Sequence, residues 1–581
     1  MRNVSRRSFI KGAGLGAATA VAASATAAAV ADEATAETDY AALDYSSWLP
    51  EEPEITDDMV EEEVEADVIV VGVGDSGCTA IRSAAEEGVK VLAFEKSETK
   101  NTTGQGCAVI GGTVQETWGR GDGFMDKFEL AEKHMNECLY HNNLPIFLRW
   151  EDEMKDVFDW FIKPSNPYIA PESFADIPEE NQGNYIFPFF YPMLESYDYT
   201  KESLPTYPTT IGISNLSQMM ADTLAEAEAT GNVDIRYGHF GTKLIMEDGR
   251  CTGVYARNAS SGKYVKATAK GGVILTCGDY AHDTAMLKYF VPSVVENEVP
   301  VMNPTMDVEG NYTATGDGHK MAAWAGVALQ QWHAPMIHHM GGGAGIGGRG
   351  VIGNNGYLWL NLSGKRFMNE DLPGQQLENQ LEKQPSHMAY QFFDAAWPEQ
   401  LQYFPAAHGT ACYYRDEPLP DWSANGLKIS VRCPQDIQDG IDSGQCMTAD
   451  TIDELLAQLE GIDVEQAKAS IERYNELAES GFDSDFGKSS QRLFGLTTPP
   501  YYAVRCEEAN MLVCLGGIVS DEEARAYDTA GEVVPGLYCA GNMQGSRFAV
   551  EYPICLKGVS VSMCIFYGYV AGKNAAAAAA E

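Results

Sequence analysis

The chain has no C-x-x-C pair among its 13 cysteines, so zinc-ribbon and C-x-x-C-H haem-attachment signatures are excluded. It is poor in basic residues: 40 Lys and Arg stand against 83 Asp and Glu, a formal charge of −43. Such a surface argues against nucleic acid or an anionic membrane as partner. No run is apolar enough to make a good membrane span, because Gly12–Val30 is mostly Ala and Gly. No internal repeat is visible. Cys78, Cys277 and Cys539 lie in apolar or Gly-rich contexts and read as small buried hydrophobes. No metal site is expected, although an iron–sulfur cluster gathered from distant cysteines, or a few disulfides, would leave no local signature.

The N-terminus carries Ser5-Arg6-Arg7-Ser8-Phe9-Ile10-Lys11 before an Ala/Gly-rich stretch, and Ala29-Val30-Ala31 offers a cleavage site. This predicts a twin-arginine export signal over 1–31, with the protein delivered by that machinery to the periplasm or the outer face of the membrane. The route carries folded proteins, which suits a cofactor loaded before export and a tightly held flavin more than a diffusible nicotinamide.

Ala66–Lys96 holds the most informative pattern. Val68–Val71 is a β-branched run, Gly72, Gly74 and Gly77 complete G-x-G-x-x-G, Ser76–Glu87 has helical composition, and Val89–Phe94 is a second apolar strand ending at Glu95. The first glycine makes the turn, the second admits a pyrophosphate, and the third lets helix pack on strand. The pyrophosphate then meets a helix N-terminus, and an acid at Glu95 accepts hydrogen bonds from a ribose diol. A dinucleotide site is predicted; a Gly-rich turn that binds nothing is the alternative.

Residues 32–65, with Glu61-Glu62-Glu63, read as an acidic solvated linker. Nucleotide-binding sequence runs over 66–333, and the pattern changes to Gly-rich turns and amphipathic helices over 334–510. The first pattern resumes over 511–574, including an apolar helix from about Gly558 to Gly572, and 575–581 reads as a frayed tail. Pro164–Pro208 mixes ten aromatics with many prolines and is predicted to be irregular, either a surface loop or a pocket wall.

Beyond the GVGDSG turn and Glu95-Lys96, the chain carries Thr102-Thr103-Gly104, Gly111-Gly112, VILTCGDY (273–280), GDGHKMAAWAG (316–326), GKRFMNE (364–370) and GLYCAGN (536–542). Together these resemble the flavoprotein family of soluble fumarate reductases and 3-ketosteroid dehydrogenases. The resemblance implies an α/β fold: a Rossmann-like FAD-binding domain split in sequence, with an inserted α+β capping domain and substrate between cap and flavin. It implies FAD contacts at Gly72, Gly74, Gly77, Glu95, Lys96, Thr103, Gly104, Gly112, Asp317 and Asn542. Arg366 and Glu370 also match the family, and their plainest role is structural, within the cap.

The departures concern the substrate. Gly374 stands where fumarate reductases carry a proton-donating Arg, and the accompanying relay falls near Arg349, Gly350 and Gly353. Val513 replaces a carboxylate-binding His, and Tyr552 replaces an Arg. Only His338 matches the dicarboxylate clamp. Two buried carboxylates need charge-assisted partners, so fumarate is not expected as substrate. Glu551-Tyr552-Pro553 followed by Leu556 resembles the ketosteroid branch, in which the Tyr hydroxyl and a backbone N–H four residues on bind a ketone. The two glycines of that motif are Ile554 and Leu556 here.

These readings predict hydride transfer to a C=C bond conjugated to a carbonyl in a small molecule: an enone, unsaturated lactone or aromatic acrylate. Tyr552 O–H and Leu556 N–H would form the oxyanion hole, and His338 would donate the proton, with Tyr280 and Tyr357 as weaker candidates. Electrons would come from a separate membrane-linked donor. The alternatives are oxidation in the ketosteroid-dehydrogenase direction and a non-catalytic flavin electron relay.

Overall fold

A computed structural model describes residues 43–104, 106–170, 177–188, 209–302, 305–337, 356–372, 374–400, 403, 433–507 and 510–581. The export signal, His338, the Arg349–Gly353 stretch and residues 171–176 and 189–208 of the aromatic segment lie outside the described residues.

One eight-stranded sheet organises the fold. Its strands are β1 (Val60–Val71), β2 (Val91–Glu95), β3 (Val233–Tyr237), β4 (His239–Glu247), β5 (Arg250–Asn258), β6 (Tyr264–Leu275), β7 (Arg525–Tyr527) and β8 (Val533–Cys539). The order is β7-β8-β6-β1-β2-β3, and the β4–β5 hairpin joins β6. Neighbours from β8 to β3 pair in parallel. Val68–Val71, Val91–Glu95 and Val273–Leu275 are buried, as parallel strands covered on both faces require. The parallel pairing of β8 with β6 shows the fold to be split: a strand near residue 535 completes a sheet begun near residue 60.

Five helices bear on the site: α1 (Asp75–Ala85), α2 (Lys127–Glu137), α3 (Leu144–Ile162), α4 (Asp317–Trp324) and α5 (Val559–Ala580). α1 and α5 lie in close contact. A Cβ on Gly568 of α5 would stand 2.2 Å from the Ser76 carbonyl, so a larger residue there would force the helices apart.

Three expectations need correction. The acidic linker is not solvated throughout. Trp48 is buried against Phe290 and Tyr289, and β1 begins at Val60. The Glu run fits a strand because neighbouring strands answer it: Glu62 pairs with Arg236 and Glu63 with Lys266. The C-terminal tail is not frayed, since α5 runs to Ala580 with Ala575 and Ala576 buried, and Gly271 of β6 leaves room for the Ala575 backbone. Nor is 164–208 wholly irregular. Tyr185–Pro188 pairs with Thr210–Ile213 in a four-stranded sheet that also holds Gly106–Ala108 and Tyr168–Ile169. Tyr185, Ile186 and Phe187 are buried there.

Residues 356–507 build a separate four-stranded sheet, ordered Leu358–Asn361, Met388–Asp394, Tyr501–Glu507, Cys446–Ala449, with its own apolar cores. The chain enters and leaves this region through Ala334–Ile337 and Met511–Leu515, which pair antiparallel. No helix among the described residues is long and apolar enough to cross a membrane.

Candidate active site

The turn after β1 is shaped by contacts that exclude side chains. Gly72 has φ +98°, and a Cβ there would lie 2.5 Å from the Thr276 carbonyl. A Cβ on Gly77 would lie 2.1 Å from the Gly72 carbonyl. Gly74 starts α1 without a side-chain cap, so the first N–H groups of α1 receive no side-chain oxygen from that position. Glu95, at the end of β2, is 5% exposed and turns back to this turn: Oε2 accepts from Val73 N–H (2.7 Å) and Oε1 from Ser97 N–H (2.8 Å). A carboxylate keeps further lone pairs after these two bonds. Gly72, Gly74, Gly77 and Glu95 are thus brought together.

Lys96 Nζ donates to Asp317 Oδ2 (2.7 Å) and to Thr315 Oγ1 (3.0 Å), which ties β2 to the start of α4. Thr103 and Gly104 are exposed, and Gly104 faces Val561 in the first turn of α5. Asn542 Nδ2 donates to Asp279 Oδ2 (3.2 Å). A Cβ on Gly112 would face Lys155 and Asp159 of α3, 3.6 and 3.8 Å away.

Two acids in this region escaped the sequence reading. Asp75, in the first turn of α1, has one carboxyl oxygen buried without a hydrogen-bond partner. Burial pushes its pKa up to about 7 against a hydrogen bond from the Thr103 backbone. Burial likewise pushes Asp279 up to about 6, opposed by hydrogen bonds from Ala281 N–H and Asn542. The signal for both was an acid inside a Gly-rich motif, GVGDSG and CGDY.

The segment before α5 is tightly held. Tyr552 is 2% exposed, its ring 5.6 Å from that of Phe548. Burial pushes its phenol pKa up, partly offset by a hydrogen bond from the Ser560 backbone N–H at the head of α5. Leu556 is fully buried. Glu137 of α2 accepts from the N–H groups of Ile554 and Cys555, and Asn379 donates to Glu551 (2.8 Å). Tyr280, Tyr357 and the Arg366 group are committed elsewhere. Tyr280 O–H meets His333 Nδ1 at 2.5 Å. Tyr357 O–H donates to the Trp397 carbonyl in the second region's core (3.4 Å). Arg366 grips Glu370 and Asp483.

A buried cation was also missed. Arg547 is 1% exposed and donates to the carbonyls of Gly541 and Gln544. Eleven of the cysteines among the described residues are free, and no cluster of metal-ligating side chains occurs among those residues.

A family model described as an FAD binding domain matches residues 67–559. The chain belongs to this FAD-binding family. FAD is its cofactor, and the residues present fit the group: the glycine cradle admits a pyrophosphate and inward-facing Glu95 admits a ribose. The FAD-binding chain is 30% identical over 361 residues to a 3-oxosteroid 1-dehydrogenase of Mycolicibacterium smegmatis, covering 58% of each chain. It is 24% identical to a fumarate reductase (cytochrome) of Shewanella frigidimarina, covering 91% of this chain and 78% of that one. The 3-ketosteroid-Δ4-(5α)-dehydrogenase structure from Rhodococcus jostii superposes with a TM-score of 0.63 at 20% identity, over 90% of this chain and all of that one. That likeness establishes the mixed α/β fold shared by the FAD-binding chain.

Proposed function

We propose that the protein is an exported, FAD-dependent reductase of a C=C bond conjugated to a carbonyl, fed by a separate membrane-linked electron donor. The observation that carries this reading is Tyr552. Its phenol is buried beside the Phe548 ring, 5.6 Å away, and burial keeps it protonated. A buried, neutral phenol keeps its O–H available as a donor. Charge that builds on a substrate carbonyl oxygen would be met by that O–H and by the Leu556 N–H, in the segment that Glu137 pins through the Ile554 and Cys555 N–H groups. At 2% exposure the Tyr552 hydroxyl is shut off from bulk water, where such donors act most strongly.

Bound and reduced, FAD supplies the hydride equivalent. The chain's own residues position the substrate carbonyl and stabilise its charge. His338 is proposed to deliver the proton, since Tyr280 and Tyr357 are engaged with other partners. Fumarate is disfavoured because Val513 and Gly374 occupy places where its carboxylates and proton would need cations.

Similarity to a 3-oxosteroid 1-dehydrogenase favours a second reading, oxidation at the same Tyr552 site. Export of the folded holoprotein and an external donor favour reduction. The test of the site is Tyr552→Phe. Bound FAD is expected at parental stoichiometry and turnover down about 100–1000-fold, the usual cost of one such donor. Unchanged turnover would remove Tyr552 from the chemistry.

A further inference from the structure

Arg547 occupies an unusual position for a cation. It is 1% exposed, and its donors meet only neutral acceptors: the Gly541 carbonyl, the Gln544 carbonyl (3.3 Å) and the Cys564 sulfur (4.0 Å). Its guanidinium lies 5.0 Å from the Phe548 ring centroid. Among the described residues no carboxylate pairs with it. Burying a guanidinium without a counter-ion costs several kcal/mol, and an apolar residue of similar volume would usually be the more stable choice.

The groups facing it do not compensate. His134 stacks on Phe147, meets the Arg547 carbonyl at 3.2 Å, and is held neutral, its pKa lowered to about 4 by burial. Tyr552 and the thiols of Cys539 and Cys564 stay protonated because burial raises each of them. Asp75 and Asp279 act on Cys564, and among the described residues neither forms an ion pair with Arg547.

The location is informative. The Gly541 carbonyl immediately precedes Asn542, and the Cys564 thiol reaches Asn542 Oδ1 at 3.7 Å. Cys564 lies in the second turn of α5, whose N-terminus adds positive potential of its own. The charge therefore sits against the turn that carries Asn542, one of the FAD contacts the resemblance implies. An electrostatic partner that arrives only with reduction would complete the arrangement, because two-electron reduction leaves the flavin ring system anionic. In a low-dielectric interior a fixed charge acts on such a group without direct contact.

We propose that Arg547 is an electrostatic tuning residue: its unpaired buried charge stabilises reduced FAD and raises the cofactor's reduction potential, which lets a weakly reducing external donor load the enzyme. This rests on the FAD-site reading above. Arg547 touches neither substrate nor reacting atoms on this account, so it is a positioning residue for charge.

The experiment is a midpoint-potential titration of the FAD-loaded protein, with FAD stoichiometry measured alongside, for the parent, Arg547→Gln, Arg547→Met and Arg547→Lys. Gln keeps a donor for the Gly541 carbonyl and removes the charge; Lys keeps the charge. Stoichiometric FAD is expected in all four. The potential is expected to fall by about 30 mV or more in the Gln and Met variants, a tenfold or greater loss of preference for the reduced form in a two-electron couple. The Lys variant is expected near the parent. A parental potential in Arg547→Gln would leave Arg547 as a hydrogen-bonding pin and overturn the proposal. Loss of FAD from the charge-free variants without a change in potential would assign it to cofactor retention and overturn it equally. A parent that takes up no FAD would instead defeat the site reading beneath it.

Discussion

Glu137 Oε2 accepts a hydrogen bond from the Ile554 backbone N–H at 2.5 Å, and a second from Cys555 at 3.0 Å, across more than 400 residues of sequence. The relationship explains how the Tyr552–Leu556 segment is shaped without the two glycines of the ketosteroid motif. A carboxylate at the end of α2 fixes two successive N–H groups, and charge-assisted bonds of this kind are the stronger sort. Glu137→Ala is expected to leave FAD bound but lower turnover at least tenfold by loosening Tyr552 and Leu556. Glu137→Gln, which still offers one acceptor oxygen, is expected to fall between it and the parent. Steady-state rates beside flavin absorbance check both.

Glu95→Ala removes the acceptor of the Val73 and Ser97 N–H groups as well as the proposed ribose ligand. Leaving buried donors unsatisfied costs about 1–3 kcal/mol each. The FAD-to-protein ratio after purification is expected to drop well below that of the parent. Full occupancy would show that the ribose is held by other groups.

Glu151 of α3 gives a pH prediction. It is 8% exposed, one carboxyl oxygen has no hydrogen-bond partner, and burial pushes its pKa up to about 8. A raised pKa means that the folded state holds the proton more tightly than the unfolded chain. Its contribution is full below the unfolded value of 4.5 and is lost as pH rises through about 8. Glu151→Gln is expected to match the parent near pH 5 and to melt several degrees higher at pH 9. Parallel melting curves across that range would contradict the assignment.

The twin-arginine reading has its own check. Arg6→Lys with Arg7→Lys is expected to retain the protein in the cytoplasm with its FAD bound, by fractionation. Undiminished export would remove that signal.

Local chemistry was legible in the sequence. β1, the Gly-rich turn, α1, β2 and Glu95 are contiguous, so spacing alone carried them, and the resemblance implied the split that the β8–β6 pairing shows. What was not legible depends on distant partners. Glu61–Glu63 looked like linker because Arg236 and Lys266, which neutralise Glu62 and Glu63, arrive from other strands. Glu137 gave no signal because its acceptors are matched to backbone N–H groups, which are the same for every residue type. Arg547 was passed over for the same reason, since its partners are carbonyls.

The central claim is tested most directly by anaerobic reoxidation. The purified FAD-loaded protein is reduced with dithionite, and flavin absorbance is followed after adding an enone, an unsaturated lactone, an aromatic acrylate or fumarate. The account expects rapid recovery of oxidised flavin with at least one conjugated carbonyl compound and no recovery with fumarate. Rapid recovery with fumarate, or none with any alkene, would contradict it.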